Sequence, residues 1–475
     1  MMYRSLATLL CACQVCVFAH AAEALTVSEA SAALQRAVAF FRGSVSTQGG
    51  YLWKYSEDLS LREGEGRADA ATAWVQPPGT PTIGNAYLTA FERTKENYLL
   101  DAAVETGHAL VKGQLQSGGW DYRIEFAPDK RAKVAYRVGG GGTKNISTLD
   151  DNTTQSAVRF LMRLDKALGE KDAAIHESVS YALEKLLQAQ YPNGAWPQRF
   201  NEPPDPAMYP VLKAAYPETW SRTFPNIDYK TFYTLNDNTL ADTIATMLDA
   251  HRAYGDARYV DAAKKAGDFL ILAQMPHPQP AWAQQYDADM HPAWARKFEP
   301  PAITGGESQG AMRILLSLYH ATGEERFLEP IPRALAYLKS SLRPDGKIAR
   351  FYELQTNKPL YFTKDYVIAY DDSDMPTHYS FVGGHDLATI EKSHETARRK
   401  GPRPPAKNMK APKLTRNIVE DARKAAATLD ERGAWVEQGK FLAQKPEEAP
   451  LRLISSATFA RNVDALTTFI AASQR

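Results

Sequence analysis

The chain has 475 residues, 44% hydrophobic and 23% charged, which is the make-up of an ordinary globular protein with ample length for a large core. Its 56 Lys and Arg balance 55 Asp and Glu, so no overall field draws it to nucleic acid or to an anionic membrane, and recognition of an anion must be local. Residues 1–21 place Arg4 before an apolar run from Leu6 to Ala19 and end in Ala19-His20-Ala21, which reads as a secretory signal peptide. The run is short for a membrane span, and no later segment approaches spanning length. All three cysteines, Cys11, Cys13 and Cys16, fall in this leader. A secreted or periplasmic mature chain without disulfides is therefore expected, stabilised by packing.

Beyond the leader, apolar residues recur at helical spacing in Ala32 to Phe41, Tyr87 to Phe91, Val158 to Leu168, Tyr181 to Leu187, Ile244 to Tyr254, Ala262 to Leu272, Met312 to Tyr319 and Ala334 to Leu338. Gly169, Gly255 and Gly323 stand where helix stops belong. Four similar starts line up at Thr82-Ile-Gly-Asn85, Thr148-Leu-Asp-Asp151, Thr234-Leu-Asn-Asp237 and Thr304-Gly-Gly-Glu307, their threonines 66, 86 and 70 residues apart. The last of these reads as a capping box. A Pro- and aromatic-rich insertion, Asn201 to Lys230, lengthens the middle interval. Similar turns, containing Trp120, Trp196, Trp282 and Arg350, follow the second helices. Repeated antiparallel pairs of this length predict an all-α fold, an incomplete α/α toroid of helical hairpins, with short irregular or β insertions at the rim of a cleft. Residues 397–413 read as a solvated basic loop and Ile454 to Ile470 as a final helix closing the ring. Residues 22–475 then form one domain, expected to be a monomer.

The chemistry-bearing residues gather at the turns. Asp150, Asp151 and Asp237 sit where acids cap helices, yet two repeats also bring them to one rim, where grouped oxygen ligands suit calcium. Gly306-Glu-Ser308-Gln-Gly310 matches a nucleophile elbow, but the chain lacks the alternating strands and helices that this motif needs. Gly139 to Gly142 has no Lys-Ser/Thr pair after it and reads as a mobile loop rather than a phosphate cradle. The ten histidines show no zinc spacing. Trp196, Trp282 and Tyr286 serve either as plugs of the hairpin ends or as binding aromatics. Arg296, Arg350 and Lys364 recur with aromatics in turns, and together they suit an anionic sugar.

These fragments in order, Gly118-Gly-Trp120, Thr148-Leu-Asp150-Asp-Asn152, Asn193-Gly-Ala-Trp196-Pro-Gln198, Asn236-Asp237, Trp282-Ala-Gln-Gln, Ala295-Arg296-Lys-Phe-Glu299, Gly305-Gly-Glu307-Ser, Ala349-Arg350-Phe-Tyr-Glu353 and Ile454-Ser-Ser-Ala-Thr-Phe459, resemble polysaccharide lyase family 10, pectate lyases with an α/α toroid. The resemblance implies calcium-assisted β-elimination of de-esterified homogalacturonan. It implies Asp150, Asp151 and Asp237 as metal-side acids and Arg296 and Arg350 as substrate arginines; Trp196, Asn238, Trp282 and Tyr286 are the residues expected to bind substrate beside them. The family carries a catalytic arginine after Asn357-Lys-Pro359, where this chain has Phe362-Thr-Lys364-Asp365, so Lys364 is the expected base. A toroidal glycoside hydrolase acting on a uronate polysaccharide, and a non-catalytic uronate-binding protein, stand as alternatives.

Overall fold

The computed structural model describes residues 25–403 and 412–474; the leader and part of the basic stretch lie outside them. Helix α1 (Val27–Phe40) opens on a capping box in which Thr26 and Glu29 satisfy each other's backbone N–H. Antiparallel pairs follow: α2 (Thr80–Thr94) with α3 (Asn97–Gly113), α4 (Thr153–Ala167) with α5 (Ala173–Gln188), α6 (Thr239–Tyr254) with α7 (Ala257–Ala273), and α8 (Gly305–Thr322) with α9 (Ile331–Ser340). Then come α10 (Leu387–Lys400), α11 (Arg416–Ala427) and α12 (Ser456–Ser473). Gly255 and Gly323 end α6 and α8 in the left-handed region, at φ 74° and 76°, so the stop signals act as read.

The first helices α2, α4, α6 and α8 stand side by side. α10 continues the row beside α8, while α12 joins it beside α2 and also packs on α1 and α11. The result is the α/α toroid that the repeats predict. The insertions at one end are small antiparallel sheets. Four have two strands: Thr72–Trp74 with Arg123–Glu125, Ser147–Thr148 with Arg199–Phe200, Tyr233–Thr234 with Gln285–Tyr286, and Ile348–Ala349 with Val382–Gly383. A four-stranded sheet orders Ile368–Ala369, Pro359–Phe362, Phe351–Glu353 and Ala302–Thr304. Beneath it lies an aromatic cluster of Trp294, Phe298, Phe351, Phe362 and Phe381, beside a main core running from Ala30 to Ile470.

One device repeats at the joints. The indole N–H groups of Trp120, Trp196 and Trp282 donate to the carbonyls of Leu110, Leu186 and Leu270, each at 2.8 Å. Gln114, Gln190 and Gln274 each donate twice at 2.9 Å, once within their own turn and once across to the next pair. The turns need left-handed glycines, Gly118 at φ 105° and Gly194 at φ 98°. A Cβ on either would meet the neighbouring helix, 2.3 Å from Lys185 Cβ or 2.0 Å from the Lys265 carbonyl oxygen.

Several local expectations are corrected. Thr82 lies inside α2. Thr304 makes no side-chain cap; its hydroxyl donates to the Trp282 carbonyl at 3.2 Å, so the capping box is absent there. Ser308 is buried in α8 and bonded to the Trp282 backbone, which removes it as a nucleophile. Gly140 and Gly142 pack tightly on the backbone of 133–136, so the glycine run is a close-packed turn. Residues 397–400 end α10.

Trp196→Ala is expected to destabilise the protein by about 3–5 kcal/mol, the cost of emptying a fully buried aromatic site. Gln190→Ala is expected to cost about 1–3 kcal/mol by removing two hydrogen bonds at a partly buried joint between helix pairs. Denaturant unfolding monitored by circular dichroism checks both.

Candidate active site

Two matching turns build the acidic side of the rim. In each, a threonine hydroxyl accepts the backbone N–H two residues on, Thr148 from Asp150 and Thr234 from Asn236, both at 3.2 Å. Two left-handed residues follow, Asp151 and Asn152 at φ 50° and 57°, Asp237 and Asn238 at φ 48° and 57°. Asp and Asn tolerate this region better than other side chains. Neither turn caps its helix through a side chain. The acids therefore do not act as N-caps.

They converge instead. One carboxylate oxygen each of Asp150, Asp151 and Asp237 lies within 4.8 Å of the others. A neutral donor holds each acid on one side: the Tyr122 hydroxyl on Asp150 at 2.8 Å, the Gln76 amide on Asp151 at 2.9 Å, and the Asn236 amide on Asp237 at 2.6 Å. Asp150 Oδ1, Asn152 Oδ1 and Asn236 Oδ1 are buried without a hydrogen-bond partner. Unpaired hard oxygens at this density fit a divalent cation of the calcium type. Burial, reinforced by neighbouring carboxylates, pushes Asp151 up to about 7 and Asp237 up to about 6.

The opposing wall is cationic. Arg296 grips the fully buried Glu299 carboxylate with both edges of its fork, Nε at 2.8 Å from Oε2. Burial works against the Arg296 charge, yet Glu299 holds its pKa above the ordinary range. Burial likewise raises Glu299, but Arg296 and the Tyr379 hydroxyl, which donates to it at 2.8 Å, bring it below the usual carboxylate range. Arg350 is held more loosely. It has one 3.4 Å contact to Glu307, lies 4.3 Å above the Tyr379 ring, and has a buried Nε without a partner. Both arginines are close enough to Asp237 to offset part of its shift. Asp237, Asn238, Glu307 and Arg350 line a common recess of about 210 Å³.

The structure thus brings Asp150, Asp151, Asp237, Asn238, Arg296 and Arg350 to one rim. Lys364 is a correction: it sits in the 363–367 turn between two strands, its side chain 68% exposed and paired with Asp374 at 3.0 Å. Trp196, Trp282 and Tyr286 are also corrected. All three are fully buried, and the Tyr286 hydroxyl donates to the Ala273 carbonyl at 2.7 Å, so they plug the hairpins and offer no face to a ligand. Gln76, Tyr122 and Tyr379 carry weight that the sequence reading did not give them. For Tyr122 a signal existed, its place directly after Gly118-Gly-Trp120-Asp121.

An arc of helical hairpins whose rim sets clustered carboxylates against held arginines is an α/α toroid with a charged cleft. Residues 114–344 match the family model described as pectic acid lyase, and that match supports a polysaccharide lyase enzyme. Similar solved structures include a family 10 polysaccharide lyase from Cellvibrio cellulosa in complex with trigalacturonic acid, 21% identical over 68% of this chain and 98% of that one, TM-score 0.45. Another is a family 76 α-mannanase from Bacteroides thetaiotaomicron, 11% identical over 94% and 96%, TM-score 0.42. No curated protein matches the chain. Among the described residues, no helix is long and apolar enough to cross a membrane.

The raised acids set a pH dependence. The folded chain keeps the Asp151 proton up to about 7, whereas the ordinary value is 3.8, so the folded state binds more protons than the unfolded one between these limits. Stability of the chelator-treated protein is then expected to fall as pH climbs from about 4 to about 7. Asp151→Asn is expected to flatten this fall and to raise the melting temperature at pH 8 while weakening cation binding. Scanning calorimetry across pH, with and without cation, reads both effects.

Proposed function

We propose that this chain is a calcium-assisted pectate lyase that cleaves de-esterified polygalacturonate by β-elimination. The observation that carries the reading is the meeting of Asp150, Asp151 and Asp237 opposite Arg296 and Arg350. In such a cleavage the proton at C5 is removed, negative charge develops on the adjoining carboxylate, and the C4–O bond breaks to leave an unsaturated end. The need is for positive charge fixed beside that carboxylate before the reaction begins. Asp150, Asp151 and Asp237 would hold calcium, which supplies such charge when bound.

Arg296 supplies a second part of it. Its two-pronged bond to Glu299 fixes its orientation, so little reorganisation accompanies the charge shift. Arg350 has spare hydrogen-bonding capacity and borders the recess with Asp237. In this reading it pairs with the uronate carboxylate beside C5 while a water of the cleft takes the C5 proton and the departing C4 oxygen is protonated from solvent; Lys364, exposed and paired with Asp374, keeps a surface role. Asn238 lines the same recess and contacts sugar hydroxyls. With the leader at residues 1–21, which lies outside the described residues, the enzyme acts in the periplasm or outside the cell.

Ultraviolet absorbance of polygalacturonate incubated with the protein tests the reading. A rise with calcium and none with chelator is the expected result. New reducing ends without absorbance would indicate a hydrolase instead, and neither signal would indicate a uronate-binding protein. Arg350→Ala is expected to lower kcat by about 10²–10³-fold, as for loss of a charge-stabilising donor. Lys364→Ala is expected to leave turnover within about twofold, as for other exposed positions.

A further inference from the structure

Next to the acidic turns lies a second cleft, about 600 Å³, lined by Glu65, Trp74, Tyr122, Arg123, Lys144 and Arg199. It shares its wall with the acids. Tyr122 donates its hydroxyl to Asp150 at 2.8 Å, and the Trp74 indole donates at 2.9 Å to Gln76, whose amide in turn holds Asp151. Arg199 stands across the strand pair from Thr148, two positions before Asp150 in the chain. Its guanidinium lies 5.7 Å from the Tyr122 ring centre, and that ring is stacked on Trp74, centroids 6.5 Å apart.

The charges of this cleft are unbalanced. Lys144 is bound to Asp121 at 2.6 Å. Among the described residues, Arg123 and Arg199 form no ion pair, whereas Arg296 and Arg350 each have a carboxylate within reach. Arg199 Nε is buried and has no hydrogen-bond partner. A guanidinium on a cleft wall without a carboxylate partner suits a ligand carboxylate, which it would bind by forked pairing. Arg123, 4.9 Å from the Trp74 ring centre, offers a second donor set at the outer edge of the same cleft.

We infer that this cleft is a distal subsite which binds the carboxylate of a further uronate unit in the same chain, with Arg199 as its principal contact and Arg123 as its outer one. The inference rests on the pectate lyase reading and adds to it a preference for length. A polymer spanning both places makes charge-assisted bonds that a short oligomer leaves unmade, so binding energy grows with the number of uronates until the subsite is filled.

The test compares hexagalacturonate with trigalacturonate in steady-state kinetics for the wild-type chain, Arg199→Ala, Arg199→Lys and Arg123→Ala. For Arg199→Ala, the ratio of kcat/KM on the hexamer to that on the trimer is expected to fall by about tenfold, through KM, the loss of one charge-assisted pairing. Arg199→Lys is expected to recover part of it, and Arg123→Ala to show a smaller drop. A ratio equal to wild type in Arg199→Ala, in protein with an unchanged melting temperature, would overturn the subsite while leaving the lyase reading intact. If the wild-type chain forms no unsaturated product at all, the lyase reading has failed; calorimetric titration with hexagalacturonate then decides the subsite alone, wild-type binding that Arg199→Ala weakens supporting it and equal binding refuting it.

Discussion

Three carboxylate groups brought within 4.8 Å of one another repel, and the rest of this rim is arranged around that repulsion. Neutral donors from Tyr122, Gln76 and Asn236 fix each acid without neutralising it. The compensating cations stand across the recess, where Arg296 is tied to a buried glutamate and Arg350 is left partly free. Raised proton affinities at Asp151 and Asp237 are the measure of charge held close together in a partly desolvated place. Such a site gains most when a cation and an anion arrive together, one for the acids and one for the arginines.

That arrangement depends on backbone placed with little freedom. Consecutive left-handed residues before α4 and α6 turn the acids away from their helix axes, and the small strand pairs just upstream bring the two turns alongside each other. Beneath them, the buried tryptophans and bridging glutamines tie each helix pair to the next. An error in one joint would shift the neighbouring turn and spread the acids. The indoles thus serve the chemistry at a distance, through packing, although none of them faces the cleft.

The helical pairs were legible because burying one face of each helix imposes an apolar period, and the glycine stops because a left-handed residue closes a helix cheaply. The acids and both arginines were legible as members of repeated turns. Their meeting was less so. Asp151 in a helix-start motif and a capping acid look alike in sequence, and only the backbone angles separate them. The aromatic turn residues look the same whether they plug a hairpin or bind a sugar, and burial alone assigned Trp196, Trp282 and Tyr286 to the first role. Lys364 took its expected role from its place along the chain, whereas the turn at 363–367 carries it outward to Asp374.

The sequence by itself determined the toroid of helical pairs and the identity of the groups able to bear charge, since periodicity and side-chain chemistry are local properties of the chain. The tertiary structure alone decided which of those groups act together. Contacts such as Gln76 with Asp151, Tyr379 with Glu299 and Tyr122 with Arg199 join residues 75, 80 and 77 positions apart in the chain. No local pattern encodes such pairings, because they exist only once the hairpins have packed side by side and the rim has closed around the charges it carries.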